Sequence, residues 1–250
     1  MPSPIGRHHA LAFAIALLPF AAAAQSPPYR YAPGPDLPGL GRHDPRIVAD
    51  ISVAPWNAIV RLQIAGVSTC TAVMVAPTIA LTAAPCLFSS RLGHFVPASA
   101  IHILTGYNSG DYAAEAVAKS YQLSAGYDPR QPEATRGRDA ARIMLAAPIV
   151  AETIPLPLAP AVADQHIILA GFNQDRAQRL QIDPDCQILS VGTELQRHNC
   201  TGTRGSSGGP LLARSASGWT IIGLQSGAYP RDAGGVAVLP STLNALLAAP

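Results

Sequence analysis

Lysine is nearly missing from this chain. Lys119 is the single one among 17 lysines and arginines, and charged residues of all kinds make up 13% of the 250 positions. A formal net charge of +2 leaves no basic surplus for holding a phosphate backbone, so no nucleic-acid partner is expected. The arginines accompany a richness in Ala, Gly and Pro that reads as coding bias rather than chemistry. Close cysteine pairs are also lacking: Cys70, Cys86, Cys186 and Cys200 offer no C-x-x-C spacing, so neither a metal nor a cofactor is expected. No internal repeat is visible. The apolar run Ala10 to Phe20 is too short to cross a bilayer and no later run is longer, so no membrane span is expected.

What remains is a globular composition, 48% hydrophobic, long enough for one large domain or two small ones. The first 24 residues read as an export signal. Arg7, His8 and His9 give a basic start, the apolar run follows, and Ala22–Ala24 form a small-residue cleavage site before Gln25. A secreted or periplasmic product makes the four cysteines meaningful, because an even count in an oxidising compartment implies two disulfides. Three pairings are open on arithmetic alone.

Residues 25–45 are rich in proline and glycine and read as an extended, poorly packed leader. Beyond them, strand-sized apolar runs alternate with turn residues: NAIVRLQIAG, CTAVMVA, TIALTA, AIHILTG, ARIMLA, HIILAGF, CQILSVG, WTIIGLQSG and GGVAVL. Little helix is expected: a short turn in AAPCLF, and a serine-capped C-terminal helix over Ser241–Ala249. The fold class is all-β. A proline-rich crossing, Ala147–Asp164, divides the strands into two halves.

The most specific stretch is TRGSSGGPLL, Thr203 to Leu212. It resembles the G-[DSN]-S-G-G-P signature of the trypsin-like serine peptidases, and four further stretches resemble that family in the same order. STCTAVMVAPTIALTAAPCLF matches the segment holding the base between two cysteines, with PWNAIVRL just upstream. GRDAARIMLAAPI matches the acid segment. Cys186 and Cys200 fall at a second-barrel bridge. IIGLQSGAY and GGVAVL match the walls of the specificity pocket.

The resemblance implies two six-stranded antiparallel β-barrels, about 50–150 and about 160–240, within a domain spanning 46–250. It also implies the bridges Cys70–Cys86 and Cys186–Cys200. Ser207 would be the nucleophile and Asp139 the acid that orients the base. The N–H groups of Gly205 and Ser207 would form an oxyanion hole. Thr201, Gln225, Ser226 and Gly227 would line the pocket, and neither a basic nor an acidic preference follows from Thr201 or Gln225.

The base itself is missing. Where the family has histidine, LTAAPC has Pro85, which carries no side-chain acid or base and no backbone N–H. Losing the base in enzymes of this type lowers turnover roughly 10⁶-fold. His43 lies in the leader, His166 opens a second-half strand and His198 is beside Cys200. His94 and His102 share the right barrel, but none of the five is expected to serve as base. Proline is also expected to shift the path of Ala83 to Cys86. Arg46–Val48 looks like a zymogen cleavage site, yet Ser206 stands where the family's activating aspartate would pair with a new N-terminus. Ala72 and Arg142 depart from the family pattern and read as drift. The function expected is an exported, monomeric peptidase homologue, inactive or strongly impaired, that binds a peptide or protein. The alternatives are an active serine endopeptidase working through an acyl-enzyme on Ser207, with a substitute base or with Pro85 a recent or erroneous change, and an exported β domain with no ligand.

Overall fold

The structure, a computed structural model, describes residues 37–149 and 155–250. The expected export signal, the first part of the expected leader and five residues of the crossing lie outside these.

Among the described residues there are fifteen strands, twelve of them in two six-stranded barrels. The edge strand β1 (Ile47–Val48) is followed by β2 (Ile59–Ile64), β3 (Ser68–Ala76) and β4 (Ile79–Thr82). A two-stranded ribbon, β5 (Phe88–Ser89) with β6 (His94–Phe95), interrupts the first barrel. That barrel continues through β7 (His102–Thr105), β8 (Ala114–Leu123) and β9 (Ala141–Leu145). It closes in the order β2-β3-β4-β9-β8-β7, antiparallel throughout. The second half holds β10 (His166–Gly171), β11 (Gln181–Val191), β12 (Leu195–His198), β13 (Pro210–Ser215), β14 (Gly218–Ala228) and β15 (Gly235–Val238). Its sheet closes through the pairing of β11 with β12, and β1 is appended to β11. Helix α1 (Pro240–Ala248) ends the chain. Its N-cap is Leu239 with no side-chain cap, so the expected serine cap is absent; Pro240 starts the helix instead, where a missing N–H costs nothing.

The apolar runs are continuous because many strands are buried on both faces. In β2, Val60, Leu62 and Ile64 fill the first barrel while Ile59 faces a layer between the barrels. In β13, Leu211 and Ala213 fill the second barrel and Leu212 joins that layer. Phe172, Leu180, Leu224 and Leu243 complete it. Burial of one such side chain contributes about 1.5–3 kcal/mol. Both disulfides form as the family resemblance implies, Cys70–Cys86 in the first barrel and Cys186–Cys200 in the second.

Two features were not visible in the sequence. Residues 37–45 are packed rather than loose. The Gly39 N–H donates to the Tyr229 carbonyl at 2.7 Å, and the Gly39 carbonyl accepts from the Gly202 N–H at 3.3 Å. Gly39 has φ +79°, and a Cβ there would lie 2.0 Å from the Gly202 oxygen, so only glycine fits. Arg46 then anchors the leader: its buried guanidinium bonds Asp44 and Asp175. The second feature is Arg142 of β9. It donates to the carbonyls of Leu247, Ala249 and Pro250 and to Gln122, tying the end of α1 to the first barrel. Arg142 is thus built into the packing and is not a mark of drift.

Candidate active site

The turn carrying Ser207 needs its glycines. Gly205 has φ +90° and Gly208 φ +77°, conformations that residues with a Cβ rarely adopt. A Cβ on Gly205 would lie 2.3 Å from the Phe172 oxygen. One on Gly208 would lie 2.4 Å from both the Thr71 oxygen and the Thr82 hydroxyl. The turn is closed by the Ser206 and Gly209 N–H groups, which donate to Thr203 and Ser206 carbonyls at 3.0 and 2.8 Å. It is stitched to β14 by the Gly208 N–H, which donates to Gln225 at 2.8 Å.

The first barrel grips the same turn. Thr71 on β3 donates its N–H to the Ser207 carbonyl at 3.1 Å and its hydroxyl to the Gly205 carbonyl at 2.8 Å. Thr82 on β4 donates its hydroxyl to the Thr71 carbonyl at 2.8 Å. These two threonines were missed in the sequence because they lie inside strands, and nothing local distinguishes a threonine that reaches across to another barrel.

The peptide N–H groups of Gly205 and Ser207 are left without partners among the described residues. The Ser207 hydroxyl, half-buried, also has none. Unpaired donors beside a hydroxyl can receive an oxygen that gains negative charge.

Asp139 follows a short turn of helix, Arg136–Arg138, and is 3% exposed. Oδ1 accepts the Ala84 N–H at 2.9 Å and Oδ2 accepts the Ser226 hydroxyl at 2.5 Å. Burial pushes its pKa up to about 6, against the opposing pull of Ser226, Ala84 and the Arg136 charge. The Tyr127 hydroxyl nearby is pushed up as well, by burial and then by the Asp139 charge.

Pro85 is exposed, in the 3-10 turn Ala84–Leu87. The turn keeps its hydrogen bonds, with Cys86 N–H donating to Ala83 at 3.2 Å and Phe88 N–H to Pro85. Proline is accommodated because its place in the first turn asks for no donor. No histidine among the described residues hydrogen-bonds Ser207 or Asp139. His94 and His102 bond Phe95 and Glu115, His166 bonds Asp185, and His198 bonds Gln225.

The four expected pocket residues are engaged as follows. Thr201 is buried, its N–H donating to Asp183 at 2.6 Å. Gln225 is 2% exposed; its oxygen accepts from His198 at 2.7 Å and its NH₂ donates to the Gly227 carbonyl at 3.1 Å. His198 Nδ1 accepts the Cys200 N–H, which places the ring proton on Nε2. Burial holds His198 neutral, pushing its pKa down to about 4. Ser226 is turned to Asp139, and Gly227 lies against the Arg136 guanidinium, which a Cβ would meet at 2.1 Å. Arg46 has its guanidinium enclosed by carboxylates, so the Arg46–Ile47 bond does not present a free arginine side chain.

The described residues contain no group of three or more His, Cys, Asp or Glu able to hold a metal, and no helix among them is long and apolar enough to cross a membrane.

Comparison with solved structures finds a Glu endopeptidase in complex with MPD that is 18% identical. The match covers 83% of this chain and 99% of that one with a TM-score of 0.70, a likeness of fold. Curated proteins give no match. A family model, Trypsin, matches residues 48–245, a stretch that takes in both barrels, both disulfides, Asp139 and the Ser207 turn, and the chain therefore belongs to the Trypsin family.

Proposed function

We propose that this protein is a peptidase homologue that has lost general-base catalysis and acts by binding a peptide or protein segment in the cleft between its barrels. The observation that carries this reading is the pairing of Ala84 with Asp139. The acid is held beside residue 85, yet that residue is a proline, with nothing to orient and nothing to accept the Ser207 proton. A serine hydroxyl without a base is a poor nucleophile at neutral pH. In this reading Ser207, Asp139 and the Gly205 and Ser207 N–H groups are inherited machinery, and the unpaired donors serve to receive a ligand carbonyl. Export through the N-terminal signal supplies the oxidising compartment that two disulfides need.

The second reading, an active serine endopeptidase, draws on the same intact turn. It requires a base other than the described histidines, none of which hydrogen-bonds Ser207 or Asp139. Labelling with a fluorophosphonate separates the two. We expect no labelling of Ser207 at neutral pH; rapid labelling abolished by Ser207→Ala would establish the active enzyme instead.

A further inference from the structure

We propose that the ligand of this cleft is an acidic peptide segment, read by Arg136 beside Gly227 and by Arg204 in the Ser207 turn; this rests on the peptide-binding reading above.

Arg136 is the first residue of the short helical turn before Asp139. Its guanidinium reaches Gly227 through Nη1, which would lie 2.1 Å from a Cβ there, with Cζ at 3.0 Å. Gly227 follows Ser226, whose hydroxyl bonds Asp139. Two residues back on the same strand, about 7 Å away, Gln225 accepts the N–H of Gly208, the neighbour of Ser207. Arg136 therefore stands about two residues from the oxyanion turn. Its side chain is 22% exposed, and its ion-pair partner is Glu133, which is 81% exposed. A pair of that kind is weak and easily exchanged for another carboxylate. Asp139 makes no ion pair with Arg136 among the described residues; its oxygens accept from Ala84 and Ser226.

Arg204 is in the Ser207 turn itself. It shares a peptide bond with Gly205, so its Cα is two bonds from one of the unpaired donors. The residue is exposed, and its guanidinium has no hydrogen-bond or ion-pair partner among the described residues. A chain that brings a carbonyl to the Gly205 and Ser207 N–H groups thus meets the residue that carries a free guanidinium and comes within about two residues of a second. Guanidiniums bind carboxylates through paired, charge-assisted hydrogen bonds, which an amide or ammonium side chain cannot reproduce. Glutamate or aspartate flanking the bound carbonyl is the ligand chemistry that fits.

The test is fluorescence anisotropy on the full disulfide-bonded chain. The probe is a fluorescein-labelled peptide in which two glutamate pairs flank a central glycine. Its partners are the same peptide with glutamines and with lysines. We expect the glutamate peptide to bind about tenfold or more tighter than the glutamine peptide, and the lysine peptide not to bind. The preference should shrink as salt rises from about 50 to about 500 mM. Arg204→Gln, on an exposed side chain, should weaken glutamate binding about threefold, and Arg136→Gln about tenfold. Arg136→Lys keeps the charge without the fork and should recover only part of the loss. Equal affinity for the glutamate and glutamine peptides would overturn the acidic ligand while leaving the peptide groove standing. Failure of all three peptides to bind would remove both.

Discussion

Ala84 donates its N–H to Asp139 at 2.9 Å, and the next residue, Pro85, has no N–H to add. The carboxylate is left with one donor on each oxygen, the second from Ser226. Two donors do not offset the cost of burying the charge, which is why its pKa rises.

Asp139 should therefore oppose folding at neutral pH. Its folded-state pKa of about 6 lies above the ordinary 3.8, so the native state holds the proton more tightly. The stability this contributes is complete below about pH 3.8 and is lost as pH rises through 6. A shift of about two units corresponds to about 3 kcal/mol. Urea unfolding of wild type and Asp139→Asn between pH 4 and 8 checks it. The mutant should gain on wild type as pH rises, and a difference independent of pH would refute the shift.

His198 should act with the opposite sign. Its folded-state pKa of about 4 lies below the ordinary 6.5, so its contribution is complete above pH 6.5 and is lost as pH falls through 4. His198→Gln should flatten the acid limb of the stability curve. An unchanged limb would mean that the buried ring is not what yields to acid.

Pro85→His should restore hydrolysis of an activated ester by at least about 10²-fold over wild type, the lower range for a positioned base. The reason is that Ser207, its unpaired donors and Asp139 are already held by Thr71, Ala84 and Ser226. Adding Ser207→Ala should abolish the gain. A folded, inert Pro85→His would place the fault in the spacing between Asp139 and Ser207.

Gly39→Val should loosen the leader. Its backbone is in the left-handed region and its Cβ position overlaps the Gly202 carbonyl, so the cost is about 1–3 kcal/mol for strain alone. Unfolding by urea should report that loss, and tryptic cleavage at exposed Arg42 should accelerate. Resistance equal to wild type would show that residues 37–45 are held by Arg46 and not by Gly39.

The barrels were legible in the sequence because their strands are apolar on both faces and end at glycines and prolines. Strand β8 was not, since AEAVAKSYQL is rich in Ala, Glu and Lys, residues with little strand preference. It is placed by pairing with β7 and β9 rather than by its own pattern. Strand β12 is only four residues long and β13 was hidden inside the GSSGGPLL motif. Of the site, the serine turn was legible from its glycines and Asp139 from its neighbours in sequence. The grip of Thr71 on the turn, the turning of Ser226 to Asp139 and the engagement of Gln225 with His198 are products of three-dimensional approach, which a linear pattern does not carry.

Arg142 has a consequence for the order in which the molecule can be made. Its carbonyl partners lie 105 to 108 residues further along the chain. A ribosome adding 5–20 residues per second delivers them roughly 5–20 s after β9 has emerged. Through that interval the guanidinium, destined for a buried site, has only water and Gln122 to satisfy it. Arg142 alternates with Ala141 and Ile143, which fill the first barrel, so its guanidinium waits on the outer face of β9 as a preformed anchor that the chain end docks onto last.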